Sequence, residues 1–167
     1  MPATSVFLQL TAQKIGEIKG PVRMSGRDNS IKLIAIKHEI ISPRDITTGL
    51  STGKRQHHPF IITKEVDKTT PILNQILVEN LSISLATLIF FGTDTGSFMN
   101  PNAEAEVYRI ILRNASVSRI ELTLPEKADN ERTSAVLIES ISLSYNQIEW
   151  IWKNGGITAS DKLNNNA

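Results

Sequence analysis

The sequence contains no cysteine among its 167 residues. Without thiols the chain can form neither a disulfide framework nor a thiolate metal site, and no cysteine can act as a nucleophile. A chain of this length has the usual size of one domain and buries roughly 70% of the surface that its unfolded form exposes. We therefore expect a hydrophobic core to hold the fold together without covalent cross-links.

The chain also lacks an excess of either charge. Its 18 basic and 17 acidic residues leave a net charge of +1. Domains that bind nucleic acid usually carry a basic face, because neutralising phosphates supplies much of their affinity. The balance argues against a nucleic-acid-binding protein and leaves a local basic patch as the remaining route to such binding.

Long apolar runs are absent as well. The most apolar stretch, Ile83–Phe91, is about half as long as a membrane-spanning helix and is interrupted by Ser84 and Thr87. The segment Met1–Gln13 carries no positive charge before its short apolar stretch, unlike a secretory signal. We expect no membrane insertion and, if the protein leaves its cell, export without a signal peptide.

Most of the apolar residues alternate with other residues at a period of two. This pattern, built from β-branched and large apolar side chains, indicates half-buried β-strands and predicts an all-β domain. It is clearest in residues 6–10, 31–40, 60–62, 81–91, 107–113, 120–124 and 137–145.

The alternation reverses its phase near the end of the chain. Apolar side chains occupy odd positions up to Tyr145 and even positions at Ile148, Trp150 and Trp152. One straight strand cannot keep both sets on the same face, so a bulge or bend is expected near Asn146–Gln147. The alternative is that the two tryptophans leave the core and cover another surface.

One segment has the pattern of a short flanking helix. Thr70 is the predicted N-cap and Pro71 follows at the first helical position. The apolar stripe that would pack on the sheets comprises Ile72, Leu73, Ile76 and Leu77.

The polar segments 92–103 and 126–133 are predicted loops. Residues 1–154 are predicted to form the domain, and residues 155–167 a flexible C-terminal tail.

Residues 42–57 form a long segment without periodicity, which is uncommon in a compact domain unless the segment has a function. The stretch Gly49–Arg55 resembles a phosphate-binding loop. It has one residue too few between its glycines, and Arg55 stands where a Ser or Thr is required, so no nucleotide site is predicted. The basic residues of segment 42–57 allow three interpretations. The segment is a solvated loop, a patch that binds an acidic partner or nucleic acid, or an arm that docks on another protein. Interleaved aromatic residues, which would favour nucleic acid, are missing.

The histidines do not have the spacing of a metal site. His57 and His58 are adjacent, so on an extended chain their rings point to opposite sides. His38 lies on an apolar strand and is predicted to be a hydrogen-bonded core or interface histidine. We predict no metal site and no cofactor.

The carboxylates give no catalytic pattern either. Glu65 and Asp67 could face one way, but Lys64 and Lys68 beside them favour a solvated ion-pair cluster over acid–base chemistry. A strand–turn–helix motif for a serine nucleophile is absent. The chain is therefore not predicted to be an enzyme.

The segment Ile34–Pro71 resembles the Hcp (haemolysin-coregulated protein) family of type VI secretion systems. The family pattern SPRD, TG, TGKR-x-H-x-PF, ITKE-x-DK and Pro is found here in chain order. Other matching pieces of the family pattern are Gly16–Gly20, Asn114–Ser116, Ile148–Trp150 and Gly155–Ala159. The resemblance covers most of the chain, apart from residues 1–13, 92–103 and 161–167.

The resemblance implies a β-barrel built from two packed antiparallel sheets, with one short flanking helix and a long extended loop. Family members form hexameric rings that stack into the inner tube of a contractile injection machine. Their partners are further copies, sheath and spike proteins, and effector proteins in the lumen. The protein would assemble in the bacterial cytoplasm and then be secreted. The long loop is the arm that reaches neighbouring subunits, which implies interface residues at Ser42, Pro43, Arg44, Asp45, Thr48, Gly49, Thr52, Gly53, Lys54, Arg55 and His57.

Overall fold

A computed structural model describes residues 4–93, 103–126 and 135–163. The predicted loops 92–103 and 126–133 lie mostly outside these residues. The described chain folds into twelve strands and one helix: β1 Ser5–Ala12, β2 Gly16–Ile18, β3 Ile31–Leu33, β4 Ala35–Lys37, β5 Ile40–Ile41, β6 Gln56–His57, β7 Phe60–Glu65, α1 Thr70–Val78, β8 Ser82–Thr93, β9 Glu104–Thr123, β10 Ile138–Ser144, β11 Gln147–Trp152 and β12 Ile157–Lys162.

Ten of these strands form one antiparallel sheet. Its main order is β2-β1-β8-β9-β10-β7-β4; β3 also pairs with β1, and β11 lies between β9 and β12. The remaining strands, β5 and β6, form a separate two-stranded sheet. The predicted all-β fold with one short helix and two sheets is therefore confirmed.

The predicted barrel describes the large sheet only loosely. β3 pairs with β1 and β4 pairs with β7, which lie at opposite ends of the run β1-β8-β9-β10-β7. Only Ile34 separates β3 from β4. The segment 31–37 therefore connects the two ends of this run of strands, but as two short strands rather than one continuous strand. The sheet curls around its own core, and the second sheet is a small ribbon rather than a large packing partner.

The core lies inside this curled sheet and contains the side chains that the period-two pattern assigns to one face. Helix α1 contributes Leu73 and Ile76, each 1% exposed. Burying an aliphatic side chain of this size contributes about 1.5–3 kcal/mol, so the core dominates the stability of the fold. Its strand residues include Leu8, Leu10, Ile18, Ile31, Leu33, Phe60, Ile62, Ile83, Leu88, Ile110, Leu112, Ile141, Leu143 and Ile148.

The phase reversal corresponds to a break between two strands, as predicted. β10 ends at Ser144 and β11 begins at Gln147, and both pair with the single long strand β9. Trp150 packs against the core, whereas Trp152 is 49% exposed. The break allows both halves of the segment to turn an apolar face inward.

Two boundaries differ from the prediction. Helix α1 has Thr69 at its N-cap, one residue before the predicted Thr70. Residues 157–162 are not a flexible tail, because they form β12 along the edge of β11. Gly155 and Gly156, with φ angles of +86° and +62°, make the tight turn between these strands. Residues 164–167 of the predicted tail lie outside the described residues.

Candidate assembly site: an arm and its base

The segment predicted as a loop forms a narrow hairpin, which we call the arm (residues 40–57). The two limbs of the hairpin pair with each other at β5 and β6, and a further bridge joins Arg44 to Ser51. Near the end of the hairpin the Asp45 N–H donates to the carbonyl of Leu50, and Thr52 donates to that of Pro43. The lack of periodicity is explained because both faces of this ribbon are open to solvent, so neither face selects apolar residues.

Asp45 shapes the tip of the arm. Its Oδ1 accepts hydrogen bonds from the backbone N–H groups of Thr47 and Thr48, at 2.8 and 2.7 Å, and from the Thr48 hydroxyl. These hydrogen bonds lower the pKa of the Asp45 carboxyl. Gly49, with a φ of +69°, completes the turn. Three of the residues predicted at an interface thus build the tip from within.

The tip presents apolar side chains to solvent. Ile46 is fully exposed at 103%, and Leu50 is 67% exposed. On either side of them, Arg44 and Lys54 form no ion pair with any described residue. Exposed apolar groups beside free charges are typical of a surface that binds a partner.

The other end of the arm is fixed to β12 by a carboxylate. The Arg55 guanidinium donates to both oxygens of Asp161, Nε to Oδ2 at 2.5 Å and Nη2 to Oδ1 at 2.6 Å. Such a paired geometry is the strongest that arginine forms with a carboxylate. The hydrogen bond from Arg55 is the largest cause that lowers the pKa of Asp161 to about 2. Because Arg55 is bound in this way, the basic patch predicted on the arm is reduced to Arg44 and Lys54.

Three aromatic side chains extend this contact into the body. His57 Nε2 lies 2.7 Å from Asp161 Oδ2, His57 Nδ1 lies 2.7 Å from Tyr145 Oη, and His38 Nε2 lies 2.6 Å from the same Oη. A carboxylate can only accept, so His57 Nε2 donates to Asp161. In a neutral ring Nδ1 then accepts from the Tyr145 hydroxyl, and Tyr145 in turn accepts from His38. We call Arg55, His57, Asp161, Tyr145 and His38 the arm base.

Burial affects the titration of the inner members of the arm base. Desolvation is the main cause that lowers the pKa of His38, and repulsion from His57 in its protonated form adds to it. Desolvation raises the pKa of Tyr145, and the Asp161 carboxylate adds to that effect. His38 also stacks on the ring of Phe60 at a centroid distance of 4.8 Å. The prediction that His38 is a hydrogen-bonded core or interface histidine is confirmed.

Sequence reasoning missed two members of the arm base. Asp161 was placed in a flexible tail, and Tyr145 was assigned only to a strand face. Arg55 and His57 are two residues apart, so they share a face of an extended chain. That spacing could have indicated a common carboxylate partner, although it could not identify which one.

The ion-pair cluster beside β7 is not solvated, contrary to the prediction. Lys64 is 0% exposed and its Nζ contacts Glu139 Oε1 at 2.7 Å and Asp67 Oδ1 at 3.1 Å. Glu139 is itself only 1% exposed. Thr70 donates its hydroxyl to Glu139, which ties the first turn of α1 to β10. Every partner in the cluster is a protein group, so the arrangement holds the helix in place; Glu65 and Lys68 stay exposed.

A metal site or a membrane-spanning helix would indicate another functional class, and residues 4–93, 103–126 and 135–163 bear on both. No group of three or more histidine or acidic side chains there is placed to hold a metal ion. No helix in these ranges is long and apolar enough to cross a membrane.

Comparison with known proteins gives a consistent result. Residues 7–152 match the family model described as "Type VI secretion system effector, Hcp". The chain is 24% identical to the "Major exported protein" of Pseudomonas aeruginosa over 168 residues, which covers 95% of each protein. Among solved structures it resembles the Hcp1 protein of E. coli EAEC 042, with a TM-score of 0.80, 29% identity and coverage of 96% of this chain and 99% of that one. A further structure described as Hcp protein matches with a TM-score of 0.82, 22% identity and the same coverage.

Proposed function

Because the chain belongs to the Hcp family of type VI secretion proteins, we propose that it is a structural subunit whose hexameric rings stack into the inner tube of the secretion machine. The observation that carries this proposal is the arm. It is fixed to the body at Arg55 and His57, yet its tip projects Ile46 and Leu50 into solvent. A hairpin that is held at one end and apolar at the other is suited to contact another copy.

Open strand edges support self-assembly as well. Within the described residues β12 pairs only with β11, and β2 pairs only with β1. The free N–H and C=O groups of an edge strand can pair with another chain, and a closed ring covers such edges. Ile157, on β12, adds an apolar side chain that is 67% exposed.

The partners and the site of action follow from the same proposal. Sheath and spike proteins would surround and cap the tube, and effector proteins would occupy its lumen. The subunits would assemble in the bacterial cytoplasm and leave with the tube during secretion. The proposal requires no cofactor and no catalytic step.

The test is the mass of the purified protein in solution. Native mass spectrometry and analytical ultracentrifugation at micromolar concentration should give a closed assembly of six subunits, and negative-stain images should show annular particles. Dilution into the nanomolar range serves as the control for concentration-dependent association. A protein that remains monomeric at micromolar concentration would refute the ring.

A further inference from the structure

A groove on the body has the properties needed to receive the tip of the arm. It lies beside the break between β3 and β4 and has a cavity volume of about 490 Å³. Leu33, Ile34 and Val66 provide its apolar lining, and Lys32 and Glu65 provide charged groups. This inference rests on the proposed assembly, because it identifies the surface that the arm of a second copy contacts.

The break in the strand explains why the groove exists. The backbone N–H of Ile34 still donates to the carbonyl of Thr63 at 2.7 Å, so the chain stays attached to β7. The Ile34 side chain nevertheless points away from the core and is 54% exposed, while its neighbour Leu33 is 6% exposed. An exposed isoleucine in a concave site of this size is an apolar surface that is available for contact with another molecule.

The charge of the groove complements that of the arm. The Glu65 side chain is exposed and forms no ion pair with any described residue. The arm carries two cations, Arg44 and Lys54, that have no ionic partner among the described residues. We propose that the arm tip of one copy occupies this groove on a second copy, with Ile46 against Ile34 and an arm cation paired with Glu65.

A second apolar cup on the molecule is less suited to the arm. It has a volume of about 420 Å³ and is formed mainly by Phe90, Tyr108 and Trp152. None of its lining residues is acidic, so Arg44 and Lys54 would find no carboxylate there. The charge difference favours the groove beside Ile34.

The occupant must come from another molecule. In its own chain the arm tip is exposed, with Ile46 in contact with no part of the body. The stretch from Ser42 to Thr47 spans at most about 20 Å when extended, which is enough to reach a neighbouring subunit of this size.

Cysteine cross-linking tests the contact directly, because the chain has no natural cysteine. Copies carrying Ile46→Cys are mixed with copies carrying Ile34→Cys and oxidised, and each variant is also oxidised alone. We expect a disulfide-linked dimer to dominate in the mixture. Ile46→Cys mixed with Trp152→Cys is the matched control and should give little product. Preferential linkage to Trp152→Cys would overturn the assignment.

Native mass measurements on the same samples separate the two proposals. If rings form but no bond joins positions 46 and 34, the groove is wrong and the assembly stands. If neither the variants nor the unmodified chain form rings, the proposed function fails and the groove falls with it.

A charge exchange provides a second, independent readout. Glu65→Lys should raise the protein concentration needed for assembly by at least about tenfold, since like charges then meet. Combining Glu65→Lys with Arg44→Glu and Lys54→Glu in one chain should restore assembly. Glu79→Lys, at the exposed end of α1, is the control. Unchanged assembly of Glu65→Lys would contradict the groove.

Discussion

At the scale of single residues, one carboxylate holds the arm to the body. Asp161 receives hydrogen bonds from Arg55 and His57, and the second nitrogen of His57 continues the chain to Tyr145. Each donor in the chain has at least one acceptor, and no buried side-chain polar atom in the described residues lacks a partner. The base of the arm is therefore held to the body by specific hydrogen bonds, whereas the hydrogen bonds of the tip stay within the arm.

Replacing this carboxylate tests the arrangement. In Asp161→Asn the amide keeps one acceptor oxygen but loses the charge, so the paired contact with Arg55 is lost. Backbone amides at Gln56 and His57 should exchange with deuterium faster than in the unmodified protein, while the β-type circular dichroism is retained. Asp28→Asn, at an exposed carboxylate, is the control. Equal exchange in both variants would show that Asp161 does not hold the arm.

The pH dependence of the arm base follows from the same group. The pKa of Asp161 is lowered to about 2 in the folded protein, below its ordinary value of 3.8. Its contribution to stability is therefore complete above about pH 4–5 and is lost as the pH falls towards 2. Between pH 5 and 2 the unmodified protein should lose more stability towards urea than Asp161→Asn does.

At the scale of elements, helix α1 is attached by a buried ion cluster as well as by its apolar stripe. Lys64 on β7 meets Glu139 on β10, and Thr70 in the first turn of α1 donates to Glu139. Asp67 also contacts Lys64 and accepts from the Thr69 N–H at 2.7 Å. The helix is short and would be marginal alone, so these contacts and its burial determine its position.

Removing one charge from the cluster should be strongly destabilising. Lys64→Met leaves Glu139 buried without its cation, which is expected to lower the free energy of unfolding by about 3–5 kcal/mol. The measurement is urea denaturation followed by circular dichroism.

Two further variants identify the cause of that loss. Lys64→Met combined with Glu139→Leu should recover much of the stability, because an apolar pair replaces the ion pair. Lys68→Met, at an exposed position, should change stability by less than about 0.5 kcal/mol. A Lys64→Met protein as stable as Lys68→Met would contradict the role of the cluster.

At the scale of the whole molecule, the body and the tip of the arm are independent. The core lies inside the ten-stranded sheet and includes no residue of the tip. Substitutions at the tip can therefore change assembly without changing the fold, which makes the arm suitable for mutational tests.

Reversing both free cations of the arm tests its role in assembly. Arg44→Glu with Lys54→Glu should shift the protein from rings towards single subunits, as measured by analytical ultracentrifugation, with the circular dichroism unchanged. Arg23→Glu with Arg119→Glu, at two exposed positions outside the arm, the groove and the strands β2 and β12, is the matched control. Rings that survive both arm substitutions would show that these cations take no part in docking.

The sequence by itself determined the all-β class, the break after Tyr145 and the short helix. These features depend on periodicity and on residues with strong local preferences, such as Pro71, and both act over a few positions. The sequence pattern also identified residues 42–57 as unlike the rest of the chain.

Only the tertiary structure decided which distant side chains meet. Arg55 and Asp161 are 106 residues apart, and Lys64 is buried although its sequence neighbours are charged. A period of two indicates which face of a strand is buried but not which strands become neighbours. The order of strands in the sheet brings β12 to the arm and β10 to β7, and that order arises from the packing of the whole chain.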